Sequence, residues 1–177
     1  MDLSPYRRPK GRFAFHITAR ENAPSIRKDG LRQSVACNSD TETITEALVS
    51  HGYDNVIPFD RSEVVYCHLD ADYPKEYGMY NWFGNDDIVV VIDLETVLAP
   101  LYLADMSAAN ECINHHVAPD PATVTDTFDE AVRKYCESIV RFDGTDPVPK
   151  QTSKVGGYPE LIIDGDVPKE AIVDIRE

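Results

Sequence analysis

The chain has 177 residues, of which 42% are hydrophobic, and its formal net charge at pH 7 is −14. This length and apolar content predict one globular domain with its own core and leave too few residues for two comfortable domains. A surface this acidic repels nucleic acid at long range and argues against a broad phosphate-binding face. Because the acidic residues are scattered, we favour a halophilic protein from a very salty cytoplasm over an acidic mimic of nucleic acid. High salt screens this repulsion, so the acidic surface does not exclude a nucleic-acid substrate.

No apolar run reaches the length of a membrane span, and the first residues lack the apolar stretch of a secretory signal. The sequence therefore predicts a cytoplasmic protein, in the host cytoplasm if the gene is viral, with no membrane partner. The four cysteines form no Cys-x-x-Cys pair, and Cys67 and Cys136 lie in apolar surroundings that favour buried, reduced thiols. Cys112 precedes His115 and His116, but no second cluster has ligand spacing, so we predict no metal site.

The N-terminal residues are predicted to differ from the rest of the chain. Residues 1–12 carry its only positive cluster and are predicted to form a basic arm, either flexible or in contact with an anion such as a nucleotide pyrophosphate or a nucleic-acid backbone. Residues 13–177 are predicted to form the single domain. It begins with a strand over residues 13–18, in which apolar and polar residues alternate, so that His16 and Thr18 share one face.

Helix signals follow this strand directly. Asn22 suits an N-cap, Pro24 suits a first helical turn, and Gly30 supplies a helix stop. The polar face of the strand is therefore followed by a short helix that turns back, which suits the floor of a small-molecule site. A second short helix is predicted over residues 41–51 and ends at Gly52.

Two further strands are predicted in the middle of the chain. Residues 63–69 alternate as the first strand does, with Tyr66 and His68 on the same face. Residues 87–94 are almost wholly apolar, which predicts a strand in the middle of the sheet.

The last third of the chain is predicted to contain both helix and strand. Short helical pieces are predicted within residues 95–118, and residues 125–142 have the best helical periodicity. Residues 158–164 predict a strand that follows a glycine hinge, with Glu160 near its start. A carboxylate at that point is either an edge residue that faces water or a functional group.

Several segments together resemble the ADP-ribosyltransferase superfamily of the His–Tyr–Glu type. They are Phe15-His16-Ile17-Thr18, the helix end Asp29-Gly30-Leu31, Val65-Tyr66, and Pro159-Glu160-Leu161-Ile162-Ile163 followed by Val167-Pro168-Lys169-Glu170-Ala171-Ile172. Within the superfamily the chain is most similar to the DarT-type toxins that modify DNA, which share the Met-containing turn seen here as Gly78-Met79-Tyr80. The resemblance implies an α+β fold with two packed, mostly antiparallel β-sheets around an NAD cleft and with flanking helices.

The resemblance also implies roles for single residues. Cleavage of the nicotinamide–ribose bond of NAD passes through an oxocarbenium-like state, which a carboxylate bonded to the neighbouring ribose hydroxyl stabilises. Glu160 takes this catalytic role, His16 holds a ribose hydroxyl with Thr18 beside it, and Tyr66 stacks on the nicotinamide ring. Tyr158 is placed to flank a base. The complete set of candidate NAD-binding residues is His16, Thr18, Tyr66, His68 and Tyr158.

The expected activity is therefore that of an NAD-dependent ADP-ribosyltransferase, a glycosyltransferase with a macromolecular acceptor, acting as a toxin or a phage- or virus-borne modifier. The toxins carry an arginine shortly after the middle strand, whereas residues 69–75 here contain no arginine and a single basic residue, Lys75. Lysine lacks the planar guanidinium group, so this segment departs from the pattern for a thymidine substrate. Tyr158 stands where transferases that modify protein side chains use Gln or Glu, so nucleic acid is slightly favoured over protein as acceptor. An antitoxin or a particle is the expected protein partner.

Two alternatives belong to other classes of function. The first is a catalytically inactive module of the same fold with a structural or interaction role, for example in a viral particle. The second is an enzyme for another small molecule that uses His16 and His68 as acid–base groups near neutral pH. Binding of NAD separates the transferase from both.

Overall fold

The computed structural model describes residues 3–6, 11–33, 39–50, 52–53, 56–69, 87–117, 127–143 and 159–176. Within these residues the strands are β1 (Phe13–Ala19), β2 (Val65–His68), β3 (Asp87–Asp93), β4 (Leu101–Asp105), β5 (Val140–Phe142), β6 (Pro159–Ile163) and β7 (Ile172–Arg176). The α-helices are α1 (Ala23–Asp29), α2 (Ser39–Ser50), α3 (Met106–Val117) and α4 (Phe128–Ser138). This architecture confirms the predicted α+β class. No helix in the same residues is both long and apolar enough to cross a membrane.

The strands form one antiparallel sheet with the order β5-β4-β6-β2-β1-β3-β7. β1 pairs with β3 along its whole length, whereas β1 and β2 share a single register pair, Phe15 with His68. We call this narrow contact between β1 and β2 the junction. The expected two packed sheets are not confirmed. The junction joins the block β5-β4-β6-β2 to the block β1-β3-β7, so that these strands form a single sheet. β3, expected in the middle, is the second strand from one edge.

The two faces of the sheet are covered differently. The first face carries one continuous apolar core across both blocks, closed by Ile26 of α1 and by Ala171. The second face carries two separate clusters, one beneath α2, α3 and α4 and the other on β1 and β3. Directly paired residues lie on the same face of a sheet, so His68, which pairs with Phe15 and with Glu160, lies between these two clusters. A polar strip thus interrupts the second face beside the junction.

The segment after β1 follows the sequence prediction except at its cap. α1 has Pro24 in its first turn and ends at Gly30. Asn22 does not cap the helix: its backbone is already helical, because a 3-10 turn over Arg20–Asn22 precedes α1. Its side-chain amide instead donates a hydrogen bond of 2.9 Å to the Thr18 hydroxyl.

Two elements in the second half differ from the prediction. Leu101–Asp105, expected within a region of short helices, forms β4 between β5 and β6. The helix expected over residues 125–142 is shorter: it begins at a capping box formed by Thr127 and Glu130 and ends at Ser138. The last residues of that segment form β5 instead, which pairs with β4.

Part of the predicted basic arm packs onto the domain. The Tyr6 hydroxyl donates a hydrogen bond of 2.6 Å to Asp174 of β7. Arg12 donates one of 2.8 Å to Asp93 at the end of β3. Residues 7–10, on which the anion-binding alternative depends, lie outside the described residues.

Candidate active site

The imidazole of His16 bridges the junction. Its Nδ1 lies 2.8 Å from the backbone oxygen of Tyr66. A carbonyl oxygen only accepts, so Nδ1 carries the proton and donates. Burial lowers the pKa of His16, which keeps the ring neutral near pH 7. The neutral ring therefore presents the lone pair of Nε2, which can accept a hydrogen bond from a ligand hydroxyl group.

Glu160 lies on β6, the strand beyond β2. It pairs with His68 of β2 on one side and with Ala104 of β4 on the other. The residue is 9% exposed, and its Oε2 has no hydrogen-bond partner among the described residues. Burial raises the pKa of this carboxyl group, and the charge of Arg61 partly opposes that effect. Ionising such a group is costly to the fold, and acids perturbed in this way cluster at functional sites.

The residues predicted from the sequence approach the junction from both faces of the sheet. Tyr66, His68 and Glu160 lie on the second face, as the alternation along β2 and β6 requires. His16 and Thr18 share the other face, as predicted, and pair with residues of β3. The junction brings His16 to the first group, since its Nδ1 donates a hydrogen bond to the backbone oxygen of Tyr66.

Of the two remaining candidate residues, Thr18 is among the described residues and Tyr158 is not. The Thr18 hydroxyl accepts the bond from Asn22, which ties β1 to the start of α1. Tyr158 lies outside the described residues, and so do residues 70–86, which contain Lys75 and the Met-containing turn. The predicted role of Tyr158 stays a prediction.

One buried residue of the site was missed by the sequence analysis. Arg61 is only 4% exposed, and its guanidinium carbon lies 5.0 Å from the ring centroids of both Tyr66 and Tyr135. Its Nη1 donates to the Tyr135 hydroxyl, and its backbone oxygen accepts a bond of 2.9 Å from the Tyr66 hydroxyl. The local sequence Asp-Arg-Ser-Glu at 60–63 is wholly polar, so nothing in it indicates burial.

The cysteines near this site are unreactive thiols. Cys67 and Cys112 are buried, Cys136 is half-buried, and all of them are free. Burial raises the pKa of Cys112 to about 12 and raises those of the other two thiols. Among the described residues no three His, Cys, Asp or Glu side chains form a group that could hold a metal ion. The side chains of His115 and His116 lie outside the described part of the chain.

The His68 ring makes the fold sensitive to acid. Burial, with a smaller effect of His16, lowers the pKa of His68 from 6.5 to about 4. Between these values the unfolded chain binds the proton more readily, so the stability that this group contributes above pH 6.5 is lost as the pH falls through about 4. We expect His68→Asn to lose less stability than the wild type over this window, as measured by urea unfolding at several pH values. Parallel losses in the two proteins would contradict this assignment.

Comparison with known proteins finds similar solved structures at low sequence identity. No protein-family profile and no curated protein sequence matches the chain. Among solved structures, Thermosipho africanus DarTG in complex with ADP-ribose is 11% identical with a TM-score of 0.47; the match covers 93% of this chain, which spans only 43% of that one. Thermus sp. 2.9 DarT in complex with NAD+ is 15% identical with a TM-score of 0.44, covering 94% of this chain and 82% of that one. The same Thermus protein in complex with ADP-ribosylated single-stranded DNA is 16% identical with a TM-score of 0.46, covering 94% and 81%. All three are named as DarT or DarTG proteins, to which this chain is similar at 11–16% identity.

Proposed function

We propose that this chain is an NAD-dependent ADP-ribosyltransferase that transfers ADP-ribose to a macromolecule, with nucleic acid favoured over protein. The observation that carries the proposal is the buried carboxylate of Glu160, which has an unsatisfied oxygen and lies two strands from the neutral His16 ring. A carboxylate and an imidazole that can accept a hydrogen bond from a hydroxyl group thus lie beside the same junction of the sheet. This combination suits a ligand with ribose hydroxyl groups.

The proposed reaction is a heterolytic exchange at the anomeric carbon of the nicotinamide ribose. The bond from that carbon to the pyridinium nitrogen breaks, and its electron pair neutralises the departing nicotinamide. A nitrogen or oxygen atom of the acceptor then bonds to the same carbon and releases its proton. The ionised Glu160 stabilises the positive charge that develops on the ribose, through a hydrogen bond to the adjacent hydroxyl group that strengthens in the transition state.

The other residues of the cleft bind and orient NAD in this proposal. The Nε2 of His16 accepts a hydrogen bond from a ribose hydroxyl, since its Nδ1 is already committed to the Tyr66 backbone. Thr18 lies beside it on the same strand face. Tyr66 provides an aromatic surface for nicotinamide, and His68 and Tyr158 are the other residues that we propose to bind NAD.

The proposed ligands belong to the classes named for the Thermus structures, NAD+ and single-stranded DNA. The net charge of −14 makes a nucleic-acid acceptor depend on salt, because bare electrostatic repulsion would otherwise oppose its approach. A toxin of a salty cytoplasm, held in check by an antitoxin partner, is the biological role that we propose.

The test is the turnover of labelled NAD in high salt, with single-stranded DNA, duplex DNA, RNA and extract protein offered in parallel to the wild type and to Glu160→Gln. Label that moves onto one class of macromolecule, and not in the variant, supports the transferase and identifies the acceptor. Transfer to protein alone would overturn the nucleic-acid preference. Absence of both NAD binding and NAD turnover would overturn the enzyme and leave the inactive module of the same fold.

A further inference from the structure

A buried cation lies beneath the candidate site. Arg61 sits in the apolar cluster under α2, α3 and α4, with its guanidinium group between the rings of Tyr66 and Tyr135. Its Nε has no hydrogen-bond partner among the described residues. A guanidinium group withdrawn from water in this way is expensive unless a nearby negative charge or aromatic faces compensate it.

The contacts of Arg61 reach the site by two routes. The first is mechanical: the Tyr66 hydroxyl is held by the Arg61 backbone oxygen at 2.9 Å, and the guanidinium group lies against the Tyr66 ring. The same residue therefore contacts both the hydroxyl group and the ring of that side chain. The second route is electrostatic, since Arg61 is the charged group that opposes the effect of burial on the pKa of Glu160.

We propose that Arg61 is a positioning residue of the candidate site, which holds the Tyr66 ring in place and supplies a buried positive charge that favours the ionised form of Glu160. The inference rests on the proposed function for its catalytic consequence. Arg61 does not need to touch NAD, because it acts through Tyr66 and Glu160.

The other ionisable groups around Glu160 do not supply this charge. Those on the described elements packed near it are Tyr66, Cys67 and His68 of β2, His16 of β1, Asp105 of β4, Cys112 of α3, and Tyr135 and Cys136 of α4. Burial keeps the two imidazoles neutral and the thiols protonated near pH 7. Asp105 is an acid and adds no positive charge. Arg133 and Lys134 of α4 are exposed to solvent, and the cation that acts on Glu160 among the described residues is the buried Arg61.

The direct test is the titration of the Glu160 carboxyl group, followed by ¹³C NMR without NAD and assigned with Glu160→Gln. In Arg61→Met, which keeps the length of the side chain and removes its charge, we expect the midpoint to move to higher pH. The matched control is Tyr135→Phe, which removes the hydroxyl partner of Arg61 and keeps the charge, so its midpoint should stay at the wild-type value. An unchanged midpoint in folded Arg61→Met would overturn the electrostatic role, whether or not the chain consumes NAD.

The activity profile tests the catalytic consequence. Arg61→Met is expected to lose more NAD turnover at the acid end of the pH profile than at the alkaline end, where only the loss of about tenfold from release of the Tyr66 ring remains. A loss that is equal at all pH values would indicate a merely structural role and overturn the inference.

Arg61→Lys keeps the test decisive if Arg61→Met does not fold. Lysine retains the charge and lacks the planar group that lies against Tyr66. We expect the Glu160 midpoint to stay near the wild-type value and kcat/KM for NAD to fall about tenfold, since the Tyr66 ring is released. A shifted midpoint together with wild-type kcat/KM would overturn both parts of the proposal.

Discussion

Glu160→Gln is expected to reduce NAD consumption by about 10²–10³-fold, because the amide keeps the shape of the side chain and lacks the charge that stabilises the developing oxocarbenium ion. Release of nicotinamide at saturating NAD, in high salt, is the measurement. Glu170→Gln serves as the control, since Glu170 is an exposed carboxylate on the turn Lys169–Ala171 and should keep full activity. Nicotinamide release by Glu160→Gln at the wild-type rate would contradict the proposed mechanism.

The same substitution is expected to stabilise the fold. Burial raises the pKa of Glu160 above its ordinary value of 4.5, so the stability that this group contributes at low pH is lost as the pH rises through the folded-state pKa. Glutamine does not ionise, so it avoids this cost, and burial is the larger of the two effects on the Glu160 pKa, with the opposing charge of Arg61 the smaller. Urea unfolding near neutral pH should therefore show Glu160→Gln to be more stable than the wild type, and less so in acid. A destabilised variant would instead indicate that Glu160 is kept for structure.

Gly30→Ala is expected to lower the free energy of unfolding by about 3 kcal/mol or more. Gly30 has a φ of 84°, and a β-carbon there would lie 2.2 Å from the backbone oxygen of Val167 and 2.9 Å from the backbone nitrogen of Lys169. Backbone atoms do not move aside as a flexible side chain does. The neighbouring Leu31 exchanges backbone hydrogen bonds of 3.0 and 2.9 Å with Val167, so any shift breaks the bridge that anchors α1 to the C-terminal segment.

Gly52→Ala is the matched control for this prediction. Gly52 follows α2 with a φ of 75°, and no atom of the described residues lies within 4 Å of the position that its β-carbon would take. Only the strain of a left-handed backbone remains, which costs about 1 kcal/mol. Chemical denaturation of both variants measures the difference. Equal losses would mean that the close approach to Val167 contributes nothing.

Much of this fold is determined by local patterns. Side chains of a strand alternate between its two faces, whatever lies beside the strand. This alternation places His16 and Thr18 on one face of β1. It likewise places Tyr66 and His68 on one face of β2. The end of α1 at Gly30 is local for the same kind of reason, since glycine tolerates the backbone conformation that a helix stop requires.

β4 shows where local patterns no longer determine the secondary structure. Its first residues, Leu101 to Ala104, are uniformly apolar, and such a run fits a buried strand or a buried helix equally well. Pairing with β6 decides the matter, because it satisfies the backbone of both strands and places Ala104 beside Glu160. The single sheet is decided in the same way, by one pair between Phe15 and His68 that no local pattern indicates.

The sequence by itself determined β1, β2, β3 and β6 and the faces of β1 and β2, since each of these depends on residues a few positions apart. Tertiary structure alone decided which face each strand turns towards the junction, that the Nδ1 of His16 is held by the Tyr66 backbone, and that Arg61 is buried. Burial and electrostatic coupling depend on neighbours that are distant in the chain, such as Tyr135 beside Arg61. A polar tetrapeptide next to a strand therefore resembles a solvent-exposed turn until the helices that cover it are in place.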